Sequence, residues 1–259
     1  MQFWLGTHMP SWLSRTDVAV PLFVSHVRLR NRKTLPAAVA PWALDSGGFS
    51  EVAARGADAF SEGPAPYITA VRRYHDEIGQ LAWAAPQDWM CEPFMTAKTG
   101  LSVAEHQRRT VRNLLDLRMA APDLPFIPVL QGWTPDDYLR SIDLYTAAGV
   151  DLSAEPLVGL GSVCRRNRTG EIVRLVMTLA GAGLAVHAFG SKGDGAVAIA
   201  EYAASADSMA WSYRARREPP LPGCTHKSCA NCPRYALAWR NRLLKRIATP
   251  QLDLFGSAA

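Results

Sequence analysis

The sequence predicts a (β/α)8 barrel of the TIM type, an α/β fold, on three observations. Eight short apolar, β-rich runs recur along 259 residues, most of them separated by helical patterns. The polar or small residues Asp45, Asp88, Gln131, Gly161, Gly190 and Asp207 fall at or just beyond the ends of those runs, where a barrel gathers its reactive groups on one rim. The length suits one large domain and leaves little room for two. A doubly wound open sheet is the alternative with the same alternation.

In chain order, strands are expected over residues 3–7, 21–25, 42–45, 81–87, 126–131, 157–161, 185–189 and 206–209. The first two connections are too short for full helices, so the barrel is irregular in its first units. Ser102 with Glu105 reads as a capping box ahead of the Val103, Val111, Leu114, Leu115 stripe. Thr134-Pro135-Asp136-Asp137 reads as an N-cap, a proline at the first helical position, and acids on the positive helix end. Gly149 and Gly183 close the helices that follow.

Composition excludes several classes. With 48% hydrophobic and 20% charged residues, long-range disorder does not fit. No apolar run approaches the ~20 residues of a membrane span. Residues 1–8 lack a basic stretch followed by an apolar one, so a cytoplasmic protein with no membrane contact is expected. The net charge of +5 is unevenly spread. Residues 214–246 carry nine Lys/Arg and one Glu, a local +8 on an otherwise near-neutral chain. Such a segment suits a phosphate-facing surface or, more simply, a solvated helix face. Cys91 and Cys164 stand alone in apolar surroundings and read as buried thiols.

Leu44-Asp45-Ser46-Gly47-Gly48-Phe49 is the most informative short motif. It sets a carboxylate at a strand end beside an open backbone and an aromatic ring, which lets a flat ligand approach and stack. The segment resembles the Asp-Ser-Gly-Gly-Phe signature of tRNA-guanine transglycosylases, zinc-bearing barrels that exchange guanine for a 7-deazaguanine. Other pieces recur in the same order. Ala85-Pro86-Gln87-Asp88 is similar to the strand end whose Asp reads the base, and Val129-Leu130-Gln131-Gly132 to the Val-Gln-Gly segment that also contacts it. Gly159-Leu160-Gly161-Ser162-Val163 resembles the pocket-lining glycine loop, and His187-Ala188-Phe189-Gly190 the next strand end. Asp207 falls where that family carries its nucleophile, and Arg216 is placed like the arginine that follows. Trp211-Ser212-Tyr213 departs from the Pro-Thr-Arg core found there. The trimmed length is more similar to the DNA 7-deazaguanine transglycosylases, the DpdA group.

The resemblance implies two carboxylates in distinct roles: Asp207 attacks C1′ to form a glycosyl ester, and Asp45 serves as acid/base. The residues by themselves do not separate these roles. Ser46, Gly47, Phe49, Asp88, Gln131, Gly132, Gly159, Gly161 and Gly190 are the expected substrate-binding residues. Asp88 can accept two N–H bonds from a guanine-like edge, and Gln131 can both donate and accept.

Cys224, His226, Cys229 and Cys232 form Cys-x-His-x2-Cys-x2-Cys, a set that suits tetrahedral zinc in a structural role. An iron–sulfur cluster or a metal-free cysteine group is the alternative, and another histidine such as His187 could replace His226. The chain is thus expected to divide into a barrel body over 1–213, a basic zinc-binding segment with a terminal helix over 214–247, and a flexible tail over 248–259. Arg165, Arg166, Arg168, Arg214 and Arg216 are the expected contacts to the nucleic-acid backbone, with Trp211, Tyr213, Tyr235 and Trp239 available for stacking and Trp239 partly core. In the tail, Gln251, Leu252, Leu254 and Phe255 resemble a sliding-clamp docking peptide. The expected activity is replacement of guanine in DNA by a 7-deazaguanine such as preQ0. The same exchange on tRNA, a hydrolytic DNA glycosylase, and a non-catalytic nucleic-acid-binding subunit remain open at this point.

Overall fold

A computed structural model describes residues 1–164 and 170–249. Its eight strands are β1 (Gln2–Thr7), β2 (Leu22–Ser25), β3 (Trp42–Asp45), β4 (Leu81–Ala84), β5 (Val129–Leu130), β6 (Val158–Leu160), β7 (Val186–Ala188) and β8 (Ser205–Ser208). All pairings are parallel and the order is β4-β3-β2-β1-β8-β7-β6-β5. The sheet curls until its outer strands meet through one parallel bridge, Ala84 to Phe126. There Ala84 N–H donates to Pro125 O at 2.9 Å and Ile127 N–H to Ala84 O at 3.1 Å. That contact makes the sheet a barrel and sets aside the open doubly wound alternative.

β4 and β5 fall furthest short of their apolar runs. Pro86 follows β4, and Pro125 and Pro128 flank Phe126; proline has no N–H for the ladder, so pairing stops or skips at each. The first connections are short, as the sequence predicts. Two 3-10 turns (Pro10–Ser14 and Thr16–Val18) join β1 to β2, and a single helical turn, α1 (His26–Leu29), follows β2.

Full helices begin after β3, with α2 (Gly48–Arg55) and α3 (Ala65–Ile78). They continue with α4 (Pro93–Thr99), α5 (Val103–Ala120), α6 (Pro135–Ala147), α7 (Gly170–Gly181) and α8 (Gly193–Ala198). After β8 come α9 (Ala210–Ala215) and α10 (Pro233–Ala248).

Caps explain several boundaries. The Thr134 hydroxyl accepts from Asp137 N–H while the Asp137 carboxylate accepts from Thr134 N–H at 2.9 Å, closing a capping box on α6. Only half of the expected box forms on α5. The Ser102 hydroxyl accepts from Glu105 N–H at 3.2 Å, but the Glu105 carboxylate turns to Arg108 and Arg109, whose charge outcompetes one neutral N–H. Gly149 and Gly183 take φ of 78° and 88° just past α6 and α7, a left-handed turn that glycine enters without steric cost.

Alternation along the strands builds two apolar layers. Outward-facing Phe3, Leu5, Leu22, Val24, Leu44, Val158 and Val186 pack under the helices. Inward-facing Trp4, Ala43, Trp83 and Ile127, with Phe23, Leu157 and Phe189, fill the barrel. The C-terminal residues belong to the outer layer: Cys229, Cys232, Tyr235, Trp239 and Leu243 are buried in the same cluster as Phe3 and Leu5. No helix among the described residues is long and apolar enough to cross a membrane.

Candidate active site

At the C-terminal ends of the strands lies a cavity of about 260 Å³. Asp45, Phe49, Asp88, Gln131, Gly161, Gly190 and Asp207 line it, drawn together from positions up to 162 residues apart in the chain. A larger cavity, about 630 Å³, opens at the other end of the barrel among Gln2, Trp4, Trp83 and Phe126. Its acid, Glu155, is tied to Arg118 at 2.6 Å. Titratable groups placed for chemistry converge on the smaller cavity.

Asp45 ends β3 and turns into α2 through Gly47, whose φ of 76° lies in the left-handed region. Gly47 N–H donates to Asp45 Oδ1 at 3.0 Å, and Gly48 N–H to Ser46 Oγ at 3.2 Å. A Cβ on Gly48 would stand 2.9 Å from both the carbonyl oxygen and Oδ1 of Asp88, so the glycine pair lets these two acidic segments approach. Asp45 is reached from the cavity but surrounded by protein. Burial raises its carboxyl above the usual range, Ser25 and Gly47 oppose this by hydrogen bonding, and the Asp207 charge adds to the rise.

Asp88 is pushed up to about 7, first by burial and then by the charge of Asp45. Gln131 Nε2 donates to its Oδ2 at 2.5 Å and Ser46 Oγ to its Oδ1 at 3.4 Å. The Gln131 amide is fixed in turn: the Ser162 hydroxyl lies 2.7 Å from Oε1 and 2.8 Å from Glu92 Oε2, and accepts from Cys91 N–H at 2.8 Å. Ser162 holds φ at 56°, an uncommon conformation for a non-glycine residue. Asp207, 5% exposed on β8, accepts from Gly190 N–H at 2.8 Å. The cavity thus gathers the carboxylates of Asp45 and Asp207 with an amide–carboxylate pair, Gln131 and Asp88, whose donors and acceptors can read a heterocycle edge.

Four expected substrate-binding residues do not line this cavity. Ser46 acts on Asp88 from beside it, and with Gly47 it borders a neighbouring cavity of about 440 Å³ that also includes Arg30, Glu51 and Tyr67. Gly132 packs against Asp137 and Tyr138, where a Cβ would meet each at 3.0 Å. Gly159 gives room to Phe189, whose ring would lie 2.5 Å from a Cβ there.

Conversely, sequence reading gave no site role to Phe23, Glu92 or Cys164, and touched Met90, Ser162 and Phe189 only within longer motifs; all six are in the cavity wall. Phe23 and Phe189 carry the inward alternation of their strands, a signal that was available. Glu92 shows none in sequence; only the fold brings it to Ser162. Cys91 is buried as expected, whereas Cys164 is half-buried at the cavity.

Near the C-terminus, one ligand atom each from Cys224, His226, Cys229 and Cys232 lies within 4.8 Å of all the others. Cys224 Sγ and Cys232 Sγ are 4.0 Å apart, close to the roughly 3.8 Å edge of a tetrahedron with ~2.3 Å metal–sulfur bonds. His226 Nε2 is 3.1 Å from Cys229 Sγ, and Leu221 N–H points at the same sulfur from 3.3 Å. The group fits a metal ion held entirely by protein. His226 occupies its place in this set; His187 lies inside the barrel against Trp83 and Phe189.

The basic segment is sorted by burial. Trp211, Tyr235 and Trp239 are buried; Trp211 donates to Gly6 O at 2.8 Å, and Trp239 packs on Phe3 at 6.0 Å. Core packing therefore claims them and removes them from base stacking, leaving Tyr213 exposed beneath the Arg217 guanidinium at 3.5 Å. Arg214 is exposed and pairs with Glu218 at 2.5 Å. Arg216 is exposed beside the rim; together with Arg28 it helps burial lower the pKa of His8. Arg165, Arg166 and Arg168 lie outside the described residues, as do Gln251, Leu252, Leu254 and Phe255.

A search of curated proteins finds no match to this chain. A family model does match, over residues 1–256, and its description is DpdA, DeoxyPurine in DNA protein A. That match covers nearly the whole sequence, barrel, acidic cavity and cysteine–histidine group alike, and the chain belongs to the DpdA family.

Proposed function

We propose that this protein replaces guanine in DNA with a 7-deazaguanine derivative by base exchange. The observation that carries the reading is the convergence of Asp45 and Asp207 on one base-sized cavity that the hydrogen-bonded Asp88–Gln131 pair also lines. At about 260 Å³ the cavity falls below the ~300 Å³ at which drug-sized sites begin, a fit for one extruded base.

In the first half-reaction an Asp207 oxygen attacks C1′, and the guanine leaves with the electron pair of the N-glycosidic bond. Asp45 protonates the leaving base; burial and the charge of Asp207 raise its carboxyl, which favours the acid form. In the second half-reaction Asp45 takes the N–H proton of the incoming 7-deazaguanine, whose nitrogen attacks C1′ and expels the Asp207 carboxylate. Protons and electron pairs balance without a redox cofactor. Asp88 and Gln131 bind the base edge in both halves, with Phe49 over the opening.

Zinc is the ion we assign to Cys224, His226, Cys229 and Cys232, in a structural role, since the protein fills all four positions. It would fix the start of α10 to the barrel. Arg214 and Arg216, with Arg165, Arg166 and Arg168, are proposed to hold backbone phosphates, and Gln251, Leu252, Leu254 and Phe255 to dock on a sliding clamp. A tail deletion that left clamp pull-down unchanged would refute the docking.

The decisive experiment incubates the protein with labelled 7-deazaguanines, preQ0 among them, and with DNA or tRNA, followed by nucleoside mass spectrometry. Label in DNA that disappears in Asp207→Ala is the expected result. Label in tRNA alone, or full activity in Asp207→Ala, would overturn the proposal.

A further inference from the structure

We propose that His187 is a positioning residue for Asp207: it holds one carboxylate oxygen, so that the other is the atom that attacks C1′. The inference rests on the base-exchange reading above and adds to it a residue that the two-carboxylate chemistry does not require.

Strand register brings the three residues together. His187 on β7 pairs with Ser205 on β8, and Asp207 lies two residues further along, on the same inward face as Ser205. His187 is fully buried. Its Nδ1 lies 2.7 Å from Ser205 Oγ. Among the described residues its Nε2 makes no hydrogen bond, yet it stands 3.4 Å from Asp207 Oδ1. The ring is held edge-to-face between Trp83, at 4.6 Å, and Phe189, at 4.7 Å.

An imidazole in an otherwise aromatic barrel interior is costly unless both nitrogens are used. When the Ser205 hydroxyl donates to Nδ1, the hydrogen of the neutral ring sits on Nε2. That N–H faces Asp207 Oδ1, which already accepts from Gly190 N–H. Two donors on Oδ1 leave Oδ2 as the nucleophile. The gap of 3.4 Å is longer than a made hydrogen bond, a contact of the kind that tightens when the substrate is in place. Charge returns to the carboxylate when the glycosyl ester breaks, and a donor placed for that moment eases the second half-reaction. No proton leaves His187, so the balance of the exchange is unchanged.

The test uses the full chain with His187→Phe, His187→Gln and Ser205→Ala, reading kcat, the KM for the base, thermal midpoint, and the covalent protein–DNA adduct on a denaturing gel. His187→Phe is expected to lower kcat about ten- to a hundredfold and to raise the trapped adduct, with KM within about twofold of the parent. His187→Gln, which restores an N–H, should recover much of the rate, and Ser205→Ala should show a smaller loss of the same kind. The proposal is overturned if kcat and adduct in His187→Phe match the parent. It is equally overturned if every variant loses rate only in step with its thermal midpoint, with no recovery in His187→Gln. Should His187→Phe fail to fold, the other two variants decide by the same readings. A parent protein that forms neither adduct nor exchanged base overturns the base-exchange reading itself, a result distinct from all of these.

Discussion

Gly161 leaves the space that the Gln131 amide occupies: a Cβ at 161 would stand 2.3 Å from Gln131 Nε2 and 2.6 Å from its Cδ. The amide cannot simply swing aside, because Asp88 holds one end and Ser162 the other. Gly161→Ala is therefore expected to break the Gln131–Asp88 contact. Overpacking of this kind costs about 1–3 kcal/mol of stability. The KM for the incoming base should rise about tenfold or more. Thermal unfolding and base-exchange kinetics check the two parts separately.

Asp88 carries the pH dependence. Its carboxyl is raised to about 7, and only the ionised form accepts two N–H bonds from a base. Base affinity should weaken as pH falls through 7, and a KM that is flat between pH 6 and 8 would contradict this. The stability effect has the opposite sense. A carboxyl raised in the folded state binds its proton more tightly there than in the unfolded chain. Its stabilising contribution is present at low pH and is lost as pH rises from about 4 toward 7. Asp88→Asn should then be more stable than the parent at pH 8, by about 1–3 kcal/mol, while losing base affinity.

Metal removal tests the C-terminal group. Cys229 is fully buried and its sulfur faces both His226 and Leu221 N–H. Cys229→Ser, or prolonged chelation, is expected to release one equivalent of zinc measured by elemental analysis. The loss should cost about 3 kcal/mol or more, which lowers the melting temperature by roughly 6–12 °C for a domain of this size. A parent protein purified with iron in place of zinc would identify the cluster as the other chemistry.

Arg118 tests barrel closure. Its guanidinium pairs with both Glu155 oxygens, at 2.6 and 2.7 Å, and reaches Phe126 O at 2.7 Å, on the residue that bridges to Ala84. Arg118→Ala strands the carboxylate and the carbonyl together. A loss of about 1–3 kcal/mol is expected, with faster amide exchange at Ile127 and Ala84 than elsewhere in the sheet. Uniform exchange across all strands would show that closure does not depend on it.

Most of the barrel was legible because both of its periodicities are written in side chains. Alternation marks strands such as Trp42–Asp45, and caps such as Thr134 mark helix starts. Prolines decide where β4 stops and where β5 starts, and their effect depends on which N–H groups the neighbouring strand needs, a relation no local window contains. The places of Asp45, Asp88 and Asp207 in the cavity were legible because each stands at or just beyond the end of an apolar run. Glu92 and Ser162 were not, since their contact spans 70 residues and follows from a left-handed backbone at a serine, which ordinarily would be glycine. Trp211 failed in the other direction: its place among arginines suggested an exposed ring, but Gly6 O and the Trp12 ring lie behind it.

The packing of α10 on β1 also constrains the order in which the molecule can be made. β1 has one edge on β2, but its other edge waits for β8, and Phe3 on its outer face waits for Trp239. β1 thus stays half-covered until β8 and α10 emerge from the ribosome, and the barrel can close only once the chain has been made through β8. Ribosome-stalled chains ending before residue 233 should therefore remain protease-sensitive at β1, and protection that appeared in those shorter chains would show that the first strands stand on their own.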